Sequence, residues 1–183
     1  MNVKRSEVAT LAGGCFWCLE AVFARIDGVA QVVSGYCGGT VPHPTYEQVS
    51  TDQTGHAESV QIGFDPVTLP YAELLGIFFA FHDPTTPNRQ GPDVGERYRS
   101  VIFWRSQAQK ATAERVIADL GARRVFERPI VTQLVEYPVF YPAEQYHQDY
   151  YRWHGGQPYC RLVITPKVAK LRKMYAARLK AEI

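Results

Sequence analysis

The chain has 183 residues, with 20 Lys and Arg against 18 Asp and Glu and 46% hydrophobic residues, which suits one compact domain spanning 1–183. A formal net charge of +2 argues against nucleic-acid or bulk membrane partners, which a strong basic excess or a patterned basic face usually marks. The longest apolar run, 74–81, is far shorter than the ~20 residues of a bilayer crossing, and the N-terminus has no apolar stretch before a cleavage site, so no secretory signal is read and the expected compartment is the cytoplasm.

Residues 7–12 read as a strand, which Gly13-Gly14 breaks. Residues 15–26 then set Phe16, Leu19, Phe23 and Ile26 at spacings of three and four, a helix stripe that Asp27-Gly28 stops. Residues 29–36 return as a strand. After a looped section, 56–64 is another, with Val60, Ile62 and Phe64 on one face. Pro70 suits a first helical turn, and Tyr71, Leu74, Leu75 and Phe78 give the following helix a buried face. Residues 82–97 have no periodicity, and a loop of that length inside a domain is a place to look for a site. A strand at 100–104, a helix capped by Ser106 and ended by Gly121, a strand at 130–135 and a basic helix from Pro166 complete the chain. The order β-α-β-β-α-β is the split βαβ pattern. The expected fold is an α/β (α+β) two-layer sandwich, with a ferredoxin-like core, a mixed sheet and an extended C-terminal segment.

Four cysteines are too sparse for a disulfide scaffold, and Cys15 and Cys18 form a Cys-x-x-Cys, which in the cytosol points to redox chemistry or metal binding. Cys15 follows the Gly-Gly turn and opens a helix, where unpaired N–H groups and the dipole favour the thiolate. Both thiols also read as small buried residues. They read, too, as half of a zinc site completed by Cys37, Cys160, His147 or His154, although structural zinc sites usually show two paired-ligand knuckles. Thioredoxin-like disulfide exchange is a further reading, against which Phe16 and Trp17 stand as rings better suited to walling an apolar pocket.

Through GGCFWC, SGYCGG, PTYEQV, TGHAESV, HDPTTPNRQGPDVGERYRS, YHQDYY and QPYC, the sequence resembles the A-type peptide methionine sulfoxide reductases over roughly residues 12–173. The resemblance implies reduction of the S-epimer of methionine sulfoxide, free or in peptides and proteins, without metal or bound organic cofactor. It makes Cys15 the nucleophile on the sulfoxide sulfur. It places Glu58, Tyr46 and Tyr98 opposite as acid and hydrogen-bond donors, since attack is helped when the sulfoxide oxygen is protonated as the S–O bond weakens. Asp93 would hold the polar site through hydrogen bonds, and Phe16 and Trp17 would wall the S-methyl pocket, where one methyl is worth roughly 1 kcal/mol. By residue type alone these readings are weaker. Glu58 is the only acid in a mostly apolar strand, so burial would keep it protonated, but it also reads as an edge-strand surface carboxylate. Tyr46 and Tyr98 are two of eleven tyrosines, and Asp93 reads equally as a turn former.

Oxygen transfer would leave a sulfenic acid on Cys15, condensing with a second thiol to a disulfide that external thioredoxin reduces. Cys160 is the favoured resolving thiol. Two cysteines three residues apart on a regular helix are awkward to bridge, whereas a C-terminal segment can swing; Cys18, or a relay through both, is the alternative. Cys37 departs from the family pattern and receives no role, reading as a bystander or a second resolving thiol. His147 and the His82-Asp83 pair read as structural, and the basic tail as a solvated helix face with Val168, Leu171, Tyr175 and Leu179 packing inward. The chain is expected to act as a monomer.

Overall fold

The computed structural model describes residues 6–181. In chain order the elements are β1 (Glu7–Gly13), α1 (Phe16–Phe23), β2 (Val29–Cys37), α2 (Tyr46–Ser50), β3 (Ala57–Phe64), α3 (Tyr71–Phe81), β4 (Arg89–Gln90) and β5 (Asp93–Val94). There follow β6 (Ser100–Trp104), α4 (Gln107–Ala122), β7 (Gln133–Glu136), β8 (Phe140–Pro142), α5 (Tyr150–His154) and α6 (Thr165–Met174).

The main sheet runs β7-β6-β1-β3-β2-β8. Its central four strands, β6-β1-β3-β2, are antiparallel neighbours in the order a split βαβ pair dictates, while β7 joins β6 in parallel. The expected α/β fold with a mixed sheet is therefore what forms. Alternation decides how the sheet is covered. Leu11 pairs with Val60 and Ile102, and Ala9 with Ile62, so these side chains share a face. There they pack with Leu19 and Phe23 of α1 and Leu74 and Phe78 of α3. The opposite face carries Ala12, Cys37, Ala57, Val101 and Phe103, covered by Tyr137 and Phe140.

Several boundaries shift for local reasons. Pro70 is the residue before α3 rather than within its first turn. Gly121 does not end α4, which continues through Ala122; a glycine weakens a helix by about 1 kcal/mol but does not stop one whose N–H groups remain bonded. Ser106 caps it as expected, accepting from the Gln109 N–H. The strand read at 130–135 lies at Gln133–Glu136. The looped section before β3 contains α2, too short for a periodic signal but carrying a capping box between Thr45 and Gln48.

The C-terminal segment crosses α1. A π turn (Cys160–Ile164) leads into α6, which begins at Thr165, and Val168 and Leu171 face inward. Two of its basic side chains have structural work, because Lys167 and Lys170 donate to the carbonyls of Phe81 and Ala80 at the C-terminus of α3.

Candidate active site

Gly14 has φ +91°, and a Cβ there would sit 2.5 Å from Cγ of Gln90. This left-handed turn ends β1 and sets Cys15 as the residue capping α1, 7% exposed. Gly14→Ala is expected to lower stability by about 1–3 kcal/mol, read by urea unfolding. An unchanged midpoint would mean that the turn relaxes and is not what places Cys15.

The thiolate expected at Cys15 is not favoured in the resting protein. Burial pushes the Cys15 thiol well up, and the Cys18 thiol and Glu58 push in the same direction. The helix start does not compensate, because the Phe16 N–H donates to Oε2 of Glu58 at 3.1 Å instead of to sulfur. Cys18 moves the other way: the Cys15 thiol hydrogen-bonds to it and, with Lys167, outweighs the effect of burial.

Glu58 sits on β3, between β1 and β2, so it is no edge-strand residue. The alternation that buries Val60 and Ile62 buries Glu58 too, at 2% exposure. Burial lifts its carboxyl to about 8 against the opposing effects of the Phe16 N–H and Arg97, so it holds a proton near neutrality.

Tyr46 opens α2, and Tyr98 closes a 3-10 turn (Glu96–Tyr98). The two segments are tied together. Arg97 meets Asp52 at 2.6 Å and donates to the Ser50 carbonyl, while its backbone N–H donates to Asp52. Both phenols are raised by burial first and then by the charge of Glu58.

Phe16 is fully buried against Tyr36 and His147, with ring centroids 5.9 and 5.2 Å away. Trp17 donates its Nε1–H to Nδ1 of His147 at 3.1 Å and stacks on Tyr150 at 3.7 Å. His147 must therefore be neutral with its proton on Nε2, and burial lowers its pKa accordingly. Asp93 accepts from the Tyr159 hydroxyl at 2.7 Å. That same hydroxyl lies 4.0 Å from Sγ of Cys18.

Cys15, Cys18 and Cys160 share one apolar cluster with Ala21, Ile164 and Val168. Cys160 is wholly buried in it, and none of the cysteines is in a disulfide. Cys37 is on the other face of the sheet, donating to the Val139 carbonyl, with burial lifting its thiol to about 12. A zinc site therefore does not assemble from Cys37 and the Cys-x-x-Cys, and His154 faces the Tyr150 carbonyl. Among the described residues, no group of three or more His, Cys, Asp or Glu is placed to hold a metal ion. Cys15 and Cys18 open onto a cavity of about 740 Å3 that runs past Phe79, Phe81 and Lys167.

Two further polar residues, neither singled out from the sequence, hold this region together. Tyr159 precedes Cys160 in QPYC, and its position beside a candidate thiol was the available signal. Glu20, the lone acid in α1, is buried and accepts the N–H groups of Asp149 and Tyr150, holding the chain where Tyr150 meets Trp17. Burial lifts it to about 7. An acid within an apolar helix was the same signal that marked Glu58.

A buried cysteine at a helix start, next to an N–H that donates to a protonated carboxyl, has the residue chemistry of a cysteine-based redox enzyme. The peptide methionine sulfoxide reductase family matches residues 7–179, and the chain belongs to that family. It is 56% identical over 174 residues to the peptide methionine sulfoxide reductase MsrA of Thermus thermophilus, covering 95% of this chain and 98% of that one. The crystal structure of reduced Mxr1 from Saccharomyces cerevisiae is similar with a TM-score of 0.76 and 32% identity, over 87% of this chain and 91% of that one. Mxr1 in complex with Trx2 is similar at 0.54 and 26% identity, over 81% and 87%.

Proposed function

We propose that Cys15 and Glu58 carry the reduction of methionine S-sulfoxide, free or within peptides and proteins, and that Cys160 and thioredoxin return the enzyme to its dithiol state. The chain is a peptide-methionine (S)-S-oxide reductase. The observation that carries the mechanism is the buried Glu58 carboxyl, protonated near neutrality and bonded to the N–H next to Cys15.

In the first step Cys15 sulfur attacks the sulfoxide sulfur as Glu58 gives its proton to the oxygen, with Tyr46 and Tyr98 donating hydrogen bonds to it. The Cys15 thiol proton replaces the one Glu58 gave. The sulfur–sulfur bond formed in the attack and the substrate S–O bond then break as the hydroxyl oxygen bonds to Cys15 sulfur, so the products are a thioether and Cys15 sulfenic acid. Phe16 and Trp17 receive the S-methyl group, and Asp93 fixes the polar rim through Tyr159. Cys160 thiol then condenses with the sulfenic acid, releasing water and forming a disulfide. The shared cluster of Cys15, Cys18 and Cys160 supports this pairing. Thioredoxin supplies two thiols and leaves as its own disulfide, a role supported by the Mxr1–Trx2 complex. Recycling of this kind needs a reducing compartment, so we place the protein in the cytoplasm; no helix among the described residues is long and apolar enough to cross a membrane. Residues 1–183 act as one domain and as a monomer in this reading, with no metal or bound organic cofactor taking part.

The test is turnover on the two separated epimers of N-acetyl methionine sulfoxide with thioredoxin recycling. Reduction of the S-epimer alone is expected. Reduction of neither, with the thiols shown to be free, would leave disulfide exchange through Cys15 and Cys18 as the activity. For the second half-reaction, Cys160→Ser is expected to release about one methionine per enzyme and then stall with thioredoxin. Normal cycling in that variant would transfer the resolving role to Cys18.

A further inference from the structure

We propose that Glu144 is a positioning residue for the reduction, its carboxylate fixing the start of α2 so that the Tyr46 hydroxyl meets the sulfoxide oxygen. The inference rests on the role of Tyr46 given above.

Glu144 immediately precedes the 3-10 turn Gln145–His147. Its two oxygens serve different elements. Oε1 accepts the backbone N–H of Tyr46 at 2.8 Å, and Oε2 accepts the hydroxyl of Tyr36 at 2.7 Å. His147 Nε2 lies 3.9 Å from Oε2. Tyr36 itself is opposite Glu58 in the β2–β3 register and lies under Phe16. One carboxylate thus ties α2 to the floor of the site.

α2 needs such a tie. It has five residues, and a helix that short has little stability of its own. Its capping box satisfies the N–H groups of Thr45 and Gln48 through each other's side chains, which leaves the Tyr46 N–H to Glu144. The Arg97–Asp52 pair anchors the other end of the segment, so Glu144 decides how its first residue is aimed. Burial acts to raise the Glu144 carboxyl, but the N–H and O–H donors around it hold it below the ordinary carboxylate range. It is therefore ionised near neutrality and accepts with both oxygens.

Glu144→Gln tests the role. An amide has one accepting oxygen, so either the Tyr46 N–H or the Tyr36 hydroxyl must face an NH2 group. The measurement is kcat for N-acetyl methionine S-sulfoxide in wild type, Glu144→Gln, Tyr46→Phe and the double variant, well below the melting temperature of each. Wild-type turnover reports on the reaction itself, and the Glu144 effect is read as a ratio to it, so the two readings fail separately. A loss of about tenfold is expected, the size of one charge-assisted hydrogen bond, shrinking to under about twofold in the Tyr46→Phe background. Tyr36→Phe keeps the charge but removes one donor, covering the case in which Glu144→Gln does not fold, and its smaller loss should also disappear with Tyr46→Phe. Losses that persist unchanged in the Tyr46→Phe background, or no loss at all, would reduce Glu144 to a packing residue.

Discussion

Cys15→Ser is expected to abolish methionine release from the S-sulfoxide, by a factor on the order of 10^4 or more, while the protein stays folded. Serine is nearly isosteric, but its hydroxyl is a far weaker nucleophile and cannot form a sulfenic acid. The fold should not suffer. Cys15 caps α1 without a side-chain hydrogen bond, and serine is among the preferred residues there, so melting should be unchanged or slightly higher. Methionine quantified by mass spectrometry, beside a thiol count lower by one, decides the matter. Release at the wild-type rate would make Cys18 the nucleophile. The raised pKa of Cys15 fits the nucleophilic role. A thiol kept protonated by burial, Cys18 and Glu58 resists stray oxidation at rest, and it carries the proton that Glu58 recovers once substrate is bound.

What was legible in the sequence follows from which interactions are local. Strand alternation in 56–64 and the Gly-Gly break before Cys15 specify β3 and the start of α1 from neighbouring residues alone. The same alternation carries Glu58 onto the buried face with Val60 and Ile62, so its burial was readable once the strand lay inside the sheet. Its neighbours were not. The Asp52–Arg97 pair that ties the segments carrying Tyr46 and Tyr98 joins residues 45 positions apart, and the Glu144 contact to Tyr46 spans 98. No periodicity encodes such contacts, so the motifs selected these tyrosines where residue type could not. The thiolate expectation failed for a related reason. A helix start favours negative charge only through free N–H groups, and the Phe16 N–H is taken by a residue 42 positions away. Likewise the gathering of Cys160 with Cys15 and Cys18 depends on α6 folding back over α1, which a stripe of apolar residues suggests but cannot orient.

Glu58→Gln should separate activity from stability. Glutamine keeps the shape and can still accept the Phe16 N–H, but it has no acidic proton to give, so methionine release at neutral pH should fall by about 10^2- to 10^4-fold. The pH profile gives the sharper signature. Wild-type kcat/KM should decline as pH rises through about 8, where Glu58 loses its proton, and the variant should lack that decline. Stability should move in the opposite direction. A carboxyl raised from its ordinary value near 4.5 to about 8 on folding keeps its proton in the native state while the unfolded chain has released it. Below 4.5 both states are protonated and nothing changes; between 4.5 and 8 wild-type stability falls with rising pH, and above 8 the loss is complete, at a few kcal/mol. Glutamine has no such titration, so Glu58→Gln should melt above wild type at pH 8 to 9, with the gap closing on acidification towards pH 4. Unchanged turnover near neutrality, or a variant that keeps the alkaline decline, would remove Glu58 as the acid. A melting gap independent of pH would mean that its proton is lost below the range in which the enzyme works.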